Sequence, residues 1–379
     1  MPHARDQTVF QEPAAAAADA AAMSAGPVLG FRCEWFDNIS GQLTTLYLKF
    51  FLDDNTIEIL TDGTRCLLKR IFYADVTVRD LFVGNSITVF NRLMFIKEYC
   101  NEATVRYMGA REEHYLVNIA EGDFAGSDLS KTFALAREFR LKVGKVRTVT
   151  SLPTPVLDTT SLGDVVLEFV GYDKSISAAF VAKLTSAGAG RIAALTASIP
   201  DVQELFDHLR ATNIYTPLPQ CSLCLLKPHV LKEEKVSGVV DAIVEAGFGI
   251  CGVFLVHLTI PMAKELLDVY RDVYPSYTAM IDQVVAAPVL ALRIVPGRAA
   301  YSSTGRDAGS PDVVESFRDL AGPLNAELAA VLRPKSLRAR FGFTEPGGAS
   351  LTNNVLHCTD LAEDGEMECK YLLGTLASL

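Results

Sequence analysis

The sequence predicts an α+β protein with one small β-rich domain followed by two α/β domains. Short β-rich runs separated by turn residues fill about 31–108, and strand-like and helix-like runs alternate over 111–212. From residue 220 the order β, α, β, α, α, β is compatible with a ferredoxin-like α/β sandwich. The predicted boundaries are a tail at 1–27, the β-rich domain at 28–110, and the α/β domains at 111–213 and 218–379.

Composition excludes several classes of function. The 379 residues are 49% hydrophobic, enough for two or three cores, and the net charge of −10 argues against a nonspecific nucleic-acid binder. No membrane-spanning run is visible, so no membrane partner is expected. The eight cysteines are scattered, which predicts mostly buried thiols in a reducing compartment. Cys221 and Cys224 have metal-pair spacing without a second pair nearby, and we expect no metal site.

The first 27 residues contain an Ala-rich run from Ala14 to Ala22 that is broken by Asp19. The run lacks the long apolar core and basic start of a secretory signal. We therefore expect either a flexible tail or a segment that becomes ordered on the surface of a partner.

The β-rich domain is predicted to contain five strands with Asp- and Gly-containing turns between them. The strands are expected at 31–36, 44–52, 56–60, 66–70 and 86–90. Trp35, the one tryptophan of the chain, is predicted to be a core anchor rather than a binding residue.

Both α/β domains show alternating periodicities. The first is predicted to have strands at 115–119 and 165–170, helices at 129–139 and 176–184, and a further run at 202–209. In the second domain, apolar residues recur at intervals of three and four residues from Val236 to Val244, which is typical of a helix. Gly247 is expected to end this helix. Its elements are expected as strands at 222–226, 249–258 and 289–294 and helices at 233–246, 261–273 and 277–285.

A histidine between polar residues marks the candidate site. Asn354 lies three positions before His357, and Lys227-Pro228 closes the first strand of the same domain. A strand that ends in Lys-Pro, with a distant histidine, is the order found in nucleoside diphosphate kinases, which the last domain resembles over nearly its whole length. The resemblance implies transfer of the γ-phosphoryl group of a nucleoside triphosphate to a nucleoside diphosphate through a phosphohistidine.

The resemblance also implies roles for individual residues. His357 would accept the phosphoryl group, and Glu368 would hydrogen-bond the other ring nitrogen and set its tautomer. Arginine suits phosphate because its planar fork matches two oxygens. Mg²⁺ would arrive with the nucleotide rather than on a protein cage. The implied nucleotide-binding residues are Lys227, Tyr270, Arg318, Arg338 and Asn354.

Several departures from the family pattern leave catalysis open. His229 stands where active members usually have Asp, Cys358 stands where Gly follows the nucleophile, and Leu324 replaces a phosphate-contacting Thr. Taken singly, the charged candidates also have ordinary structural explanations as strand-end, helix-face or loop charges, which applies to Lys227, Arg318, Arg338 and Glu368. Inserts at 302–311 and 344–350 are predicted to be surface loops that alter access or contact a neighbour.

The middle domain resembles an eroded first kinase-like domain of the same sandwich fold. Ala120-Glu121 stands where Lys-Pro is expected, and no histidine occurs between His114 and His208. The nucleophile position aligns loosely near Ser198. We expect a scaffold without catalytic activity.

Ordered motifs in the β-rich domain, at 34–37, 47–51, 54–58, 68–70, 80–84 and 91–92, resemble a pleckstrin-homology-like domain. In the nucleoside diphosphate kinase homologues of cilia and flagella this domain precedes two kinase-like domains. The resemblance implies a place in the axoneme, inside doublet microtubules, with tubulin and other axonemal proteins as partners. We expect a monomer, because tandem domains can satisfy within one chain the surface through which the free enzymes assemble.

Two hypotheses of different class follow. The chain is either a structural protein of the ciliary doublet microtubule that retains one nucleotide-binding site, or an active nucleoside diphosphate kinase that its β-rich domain delivers to the cilium. The two hypotheses are compatible with each other.

Overall fold

The computed structural model describes residues 27–37, 42–62, 64–90, 92–120, 126–149, 164–188, 190–297, 312–342, 344–345, 348–349 and 353–379. The expected tail up to residue 26 and the insert at 302–311 lie outside these residues. Of the second insert, only the paired strands β14 (Thr344–Glu345) and β15 (Gly348–Ala349) are described. No helix in the described ranges is long and apolar enough to span a membrane.

The β-rich domain is a six-stranded antiparallel sheet with the strand order β4-β3-β2-β1-β6-β5. Its elements are β1 (Val28–Asp37), β2 (Gln42–Phe51), β3 (Thr56–Thr61), β4 (Arg65–Phe72), β5 (Ser86–Val89), β6 (Arg92–Tyr99) and helix α1 (Glu102–Arg111). The five expected strands form, and the pleckstrin-homology-like detail stays a prediction. Trp35 is half-buried at the margin of a core that contains Phe31, Phe50 and Phe82.

β6 and α1 were not predicted from the sequence. Val89 pairs with Arg92, so the chain reverses within two residues, and Phe90 adopts φ 45°. Such a tight reversal lacks the usual Gly signal of a hairpin turn. Only Thr104 and Met108 are buried in α1, so the helix has little apolar periodicity.

The middle domain contains four strands and three helices. They are β7 (Glu113–Ile119), α2 (Gly126–Glu138), β8 (Lys142–Thr148), β9 (Val165–Gly171), α3 (Ser177–Ala187), β10 (Ile192–Ala197) and α4 (Ile199–Ala211). β8 and β10 were not predicted, because one is rich in charged residues and the other in alanine. The strand order is β10-β7-β9-β8.

The C-terminal domain repeats this arrangement. Its elements are β11 (Ser222–Leu226), α5 (Pro228–Lys232), α6 (Val236–Glu245), β12 (Phe248–Val256), α7 (Ile260–Leu266), α8 (Tyr277–Val285), β13 (Val289–Pro296), α9 (Val313–Ala321), α10 (Ala326–Leu332), α11 (Leu337–Phe341), β16 (Leu356–Cys358) and α12 (Gly365–Cys369). The helix expected at 233–246 forms as α6 but begins only at Val236, because Glu234 adopts φ 55° and separates it from the unpredicted short helix α5. The helix expected at 261–273 ends at Leu266 and continues as a 3₁₀ turn at Asp268–Tyr270.

The order in this second sheet is β12-β13-β11-β16, so both domains place their four strands in the ferredoxin-like order 4-1-3-2. The two sheets join edge to edge through β8 and β12. Thr148 Oγ1 accepts from Val253 N at 2.7 Å across this seam. The expected α+β class with ferredoxin-like domains is therefore present, and one eight-stranded sheet runs through both of them.

Helices α2 and α6 pack against each other over the seam. A Cβ atom at Gly126 would lie 2.5 Å from a methyl group of Val244, so glycine permits the close approach. Ser130 Oγ donates to Ser237 O at 3.1 Å. The shared apolar core continues from one α/β domain to the other, so the pair is expected to behave as one rigid unit.

A buried polar cluster connects the β-rich domain to the middle domain. His114 contacts Glu168 through Nδ1 at 2.7 Å and Glu112 through Nε2 at 2.6 Å. Tyr99 of β6 donates to the other oxygen of Glu112. Hydrogen bonds to the two carboxylates stabilise the imidazolium more than burial destabilises it, and they raise the pKa of His114 to about 9.

Candidate functional site

Strand pairing brings the two ends of the predicted motif together. β16 pairs antiparallel with β11, with Leu225 opposite His357. Lys227 follows the last residue of β11 and is the N-cap of α5, and Pro228 occupies the first turn of that helix. The histidine and the lysine therefore lie on neighbouring strands, although about 130 residues separate them.

The backbone just before His357 is strained. Val355 adopts φ 77°, which is unfavourable for a β-branched residue, and Leu356 N donates to Asn354 O at 3.0 Å across the turn. Lys227 N donates to Val355 O at 2.9 Å, and Val355 N donates to His229 Nε2 at 3.3 Å. Neighbouring groups thus hold the turn from both sides.

His229, a departure from the family pattern, contacts the strained turn before His357. Its Nε2 can accept from Val355 N only when the ring is neutral. Burial and the nearby charge of Lys227 lower the pKa of His229 to about 4. The histidine at this position therefore supports the turn instead of carrying charge.

The imidazole of His357 is buried between an acid and an aromatic ring. Its Nε2 lies 3.8 Å from Glu368 Oε1, and the Tyr270 ring meets it edge to face with centroids 5.9 Å apart. Thr359 Oγ1 donates to Glu368 Oε2 at 2.7 Å and accepts from Leu223 N at 2.9 Å. Thr359 therefore orients the acid, which stands beyond hydrogen-bonding distance of the ring.

A glycine brings the acid to this position. A Cβ atom at Gly365 would lie 2.2 Å from Cys221 O, so only glycine lets the start of α12 pack against the start of β11. Glu368 lies one turn later in α12. The close packing of α12 therefore places the carboxylate beneath His357.

Two buried cations lie beside the histidine. Lys227 Nζ donates to Asn354 Oδ1 at 2.7 Å, and Asn354 Nδ2 donates to Leu324 O at 2.8 Å. Arg338 donates to the carbonyl oxygens of Gly322 and Leu356. Burial, assisted by the charge of Arg338, lowers the pKa of Lys227 to about 7.

At the cleft rim, Asp360 connects two of the predicted phosphate-binding groups. Tyr270 donates its hydroxyl to Asp360 Oδ2, and Arg318 Nε lies 3.3 Å from Asp360 Oδ1. Arg318 also donates to Asp360 O at 2.8 Å. One carboxylate therefore contacts both of these side chains. The contacts of Asp360 could not be predicted from the sequence, because its partners are distant in the chain.

The cleft has a volume of about 480 Å³, and Lys227, Tyr270, Arg318, Arg338 and His357 line it. Asn354 and Glu368 lie behind this surface, where they contact Lys227 and face His357. The structure thus brings every predicted site residue to one place. Cys358 also borders the cleft but is nearly fully buried.

The middle domain differs at the equivalent position. Ile119 is the last residue of β7, and Leu226 is the last residue of β11. The residue before Ile119 pairs with Ala193, and the residue before Leu226 pairs with His357. Strand register therefore makes Ala193 the counterpart of the nucleophile, and the loose alignment to Ser198 is corrected. Ser198 instead caps α4. Alanine has no nucleophilic atom, which agrees with the expected loss of catalysis.

Residues 220–376 match the family model for nucleoside diphosphate kinase. The C-terminal domain is nucleoside diphosphate kinase-like. Two curated relatives are similar over most of the chain. Nucleoside diphosphate kinase homolog 7 of Mus musculus is 26% identical across 91% of this chain and 93% of its own length. The Rattus norvegicus homolog 7 is 25% identical across 91% and 93%. The resemblance recognised in the sequence is confirmed.

Single-domain kinases match the C-terminal part of the chain. The nucleoside diphosphate kinase of Aquifex aeolicus is 24% identical across 41% of this chain and 94% of its own length. A crystal structure of the Aquifex aeolicus enzyme aligns with 21% identity and a TM-score of 0.34, covering 42% of this chain and 99% of that chain.

No group of three or more His, Cys, Asp or Glu side chains in the described ranges forms a metal-binding cluster. The cleft lining includes the cations Lys227, Arg318 and Arg338, which suit phosphate oxygens better than a bare metal ion. Cys221 and Cys224 hold no disulfide and are buried, as are most of the eight cysteines.

Proposed function

We propose that the kinase-like domain binds nucleoside di- and triphosphates, and that the chain is a structural protein inside the doublet microtubules of ciliary and flagellar axonemes. The buried grouping of Lys227, Arg338 and His357 in one cleft carries the nucleotide-binding part. The resemblance to the ciliary homologues motivates the axonemal part, together with tubulin and other axonemal proteins as partners.

Nucleotide binding is supported by the charges of the cleft. Arg338 Nε has no hydrogen-bond partner in the described part of the chain, and the bonds of its other nitrogens go to neutral atoms. A phosphate would provide the anionic partner that a buried guanidinium needs. Bound phosphate would also favour the charged form of Lys227. Mg²⁺ would neutralise the remaining phosphate charge.

The structural role is supported by the arrangement of the domains. The middle domain has lost its nucleophile but retains a complete four-stranded sheet, and it is fused to the kinase-like domain through β8 and β12. β4 forms an outer edge of the β-rich sheet and exposes Leu67 (40%), Ile71 (41%) and Phe72 (62%). An exposed apolar edge strand is a suitable surface for pairing with a partner protein.

Active phosphoryl transfer is the second candidate, and the array of His357, Glu368 and Thr359 favours it. With Nε2 facing the acid, Nδ1 is the nitrogen that would attack the γ-phosphorus. A P–N bond would form as the bond from the γ-phosphorus to the bridging oxygen breaks, and the nucleoside diphosphate would leave. The second half-reaction would reverse these steps on another diphosphate. Glu368 would stabilise the positive charge on the phosphorylated ring.

The deciding experiment incubates the full chain with γ-labelled ATP and Mg²⁺ and measures acid-labile label. Active transfer predicts label on the native chain and none on His357→Ala. His208→Ala is the matched control, because His208 lies in α4 of the middle domain and should leave labelling unchanged. Nucleotide binding without label would limit the function to the structural role. Absence of binding to any nucleoside di- or triphosphate would refute the nucleotide site.

The axonemal proposal needs a separate experiment with the full chain. Ile71→Glu together with Phe72→Glu should reduce incorporation into salt-washed doublet microtubules, because charges would face the partner surface. Val331→Glu is the control, since Val331 is 78% exposed on α10 of the kinase-like domain. Equal incorporation of all variants would exclude β4 as the docking edge. Absence of the native protein from washed doublets would overturn the axonemal role.

A further inference from the structure

A second cavity lies over the seam between the two α/β domains. Its volume is about 300 Å³, and it shares no lining residue with the nucleotide cleft. Arg147 of β8, Cys251 of β12 and Arg293 of β13 lie at its base. Residues 213–216, which follow α4, and the last helical turns at Leu373 and Ala377 contribute to its wall. The cavity therefore exists only because the two domains are fused.

Arg147 is a buried cation without a carboxylate partner in the described residues. It is 6% exposed, and its guanidinium donates to the carbonyl oxygen of Ala377, while Nε has no hydrogen-bond partner in the described part of the chain. Its side chain lies near the ring of Phe254, 5.3 Å from the centroid. Val146 packs in the helix-covered core, so Arg147 points to the opposite face of β8.

Burial lowers the pKa of Arg147 to about 10, and the nearby charge of Arg210 contributes. Arg210 itself pairs with Asp207 at 3.1 Å. A neighbouring positive charge makes the burial of Arg147 less favourable still. The fold thus maintains positive charge here at a cost to its own stability.

Arg293 places a second guanidinium at the cavity. It donates to Thr216 O at 2.9 Å and to Cys251 O at 3.3 Å, and its side chain lies 5.3 Å from the Tyr215 ring centroid. The strand register shifts between Ile250 and Gly252, which exposes the carbonyl that Arg293 contacts. A Cβ at Gly252 would meet Arg293 Cβ at 3.2 Å, so glycine makes room for the side chain.

Among the described residues, the cavity lining contains two arginines and no carboxylate, although acidic residues outnumber basic ones in the chain, 45 to 35. The other lining residues are mainly apolar or aromatic, such as Val149, Leu218 and Phe254. Small-molecule sites share this composition, in which apolar walls surround a few convergent polar groups, and they begin at about 300 Å³.

We propose that this interdomain cavity binds a small organic anion, whose phosphate or carboxylate group contacts Arg147 and Arg293 and whose apolar body lies against Tyr215 and Phe254. Bidentate bonds from guanidinium to an oxyanion would supply the anionic partner that Arg147 lacks within the described chain. Because wall and base come from both α/β domains, such a ligand would also strengthen their association.

The test measures binding and melting temperature of the full chain with phenyl phosphate, benzoate and inorganic phosphate. We expect the native protein to be stabilised by phenyl phosphate or benzoate more than by inorganic phosphate. Whichever of phenyl phosphate and benzoate binds more tightly identifies the acidic group of the ligand as phosphate or carboxylate. Arg147→Met should weaken binding at least about tenfold, since a charged hydrogen bond contributes about 1.5–3 kcal/mol. Without ligand, the same substitution should raise the melting temperature.

Two further variants make the result decisive. Arg293→Met must also weaken binding, which keeps the test valid if Arg147→Met fails to fold. Lys227→Met, in the nucleotide cleft, must retain binding, because otherwise the anion occupies the cleft and the proposal is wrong. Equal binding by the native protein and both arginine variants, or no binding by any of the three anions, would overturn it. Labelling of His357 should persist in the arginine variants.

Discussion

Replacement of Lys227 by methionine should stabilise the protein while it weakens nucleotide binding more than tenfold. The pKa of Lys227 is about 7 against an ordinary value of 10.5, which at about 1.4 kcal/mol per pH unit corresponds to an unfavourable contribution of up to about 5 kcal/mol. Below pH 7 the folded protein bears the full cost of the buried charge. As pH rises from 7 to 10.5 the cost diminishes, because Lys227 loses its proton in the folded protein while the unfolded chain still retains it.

The substitution also removes the hydrogen bond from Lys227 Nζ to Asn354 Oδ1. Leaving that oxygen unsatisfied costs about 1–3 kcal/mol. The net gain is therefore about 2–4 kcal/mol, equivalent to a rise in melting temperature of roughly 5–10 °C for a unit of this size. Such a trade of stability for function is common at binding sites.

Differential scanning fluorimetry of the native and variant proteins at pH 7, without nucleotide, measures the effect. Lys264→Met is the matched control, because Lys264 is exposed on α7 and its replacement should leave the melting temperature within about 1 °C. In parallel, nucleotide affinity should fall more than tenfold in Lys227→Met only. A variant that melts at or below the native temperature would refute the reasoning that Lys227 is strained by burial.

Other predictions concern the groups around the site and the domain junction. His114→Gln should reduce the pH dependence of stability: the contribution of His114 is complete below about pH 6.5 and is lost as pH rises through about 9, which urea denaturation across this range can check. Thr359→Val should lower stability by about 1–3 kcal/mol and slow labelling of His357, because Glu368 loses its orienting hydroxyl; unchanged labelling would exclude that role. Gly365→Ala should destabilise the kinase-like domain through its clash with a backbone oxygen, whereas Gly109→Ala, a control with open space in α1, should raise the melting temperature slightly.

Strong periodicity and family motifs were enough to predict much of this architecture. α8 forms at 277–285 as expected, and β11 at 222–226, because their apolar patterns are regular and their ends carry clear signals. β8 was missed because Lys142, Lys145 and Arg147 interrupt its apolar pattern. β8 forms despite these charges because it pairs with β9 and β12, which are distant in sequence.

The candidate site also combines residues that the sequence pointed to and contacts that only the structure shows. The resemblance to nucleoside diphosphate kinases pointed to His357, Lys227 and Arg338, and the structure places these three residues in one cleft. The contribution of His229 to the turn, and of Thr359 to the orientation of Glu368, depends on contacts between distant segments. Likewise, only strand register could show that Ala193 replaces the nucleophile in the middle domain.

The α+β class and the kinase-like C-terminal domain follow from the sequence, because local periodicity and motifs are properties of short segments. The join of two sheets through β8 and β12, the contacts of Asp360 with Tyr270 and Arg318, and the position of Arg147 near Arg293 follow only from the tertiary structure. Each of these depends on which distant residues share a buried space. Burial and pairing set the energies of charges, and no local pattern encodes them.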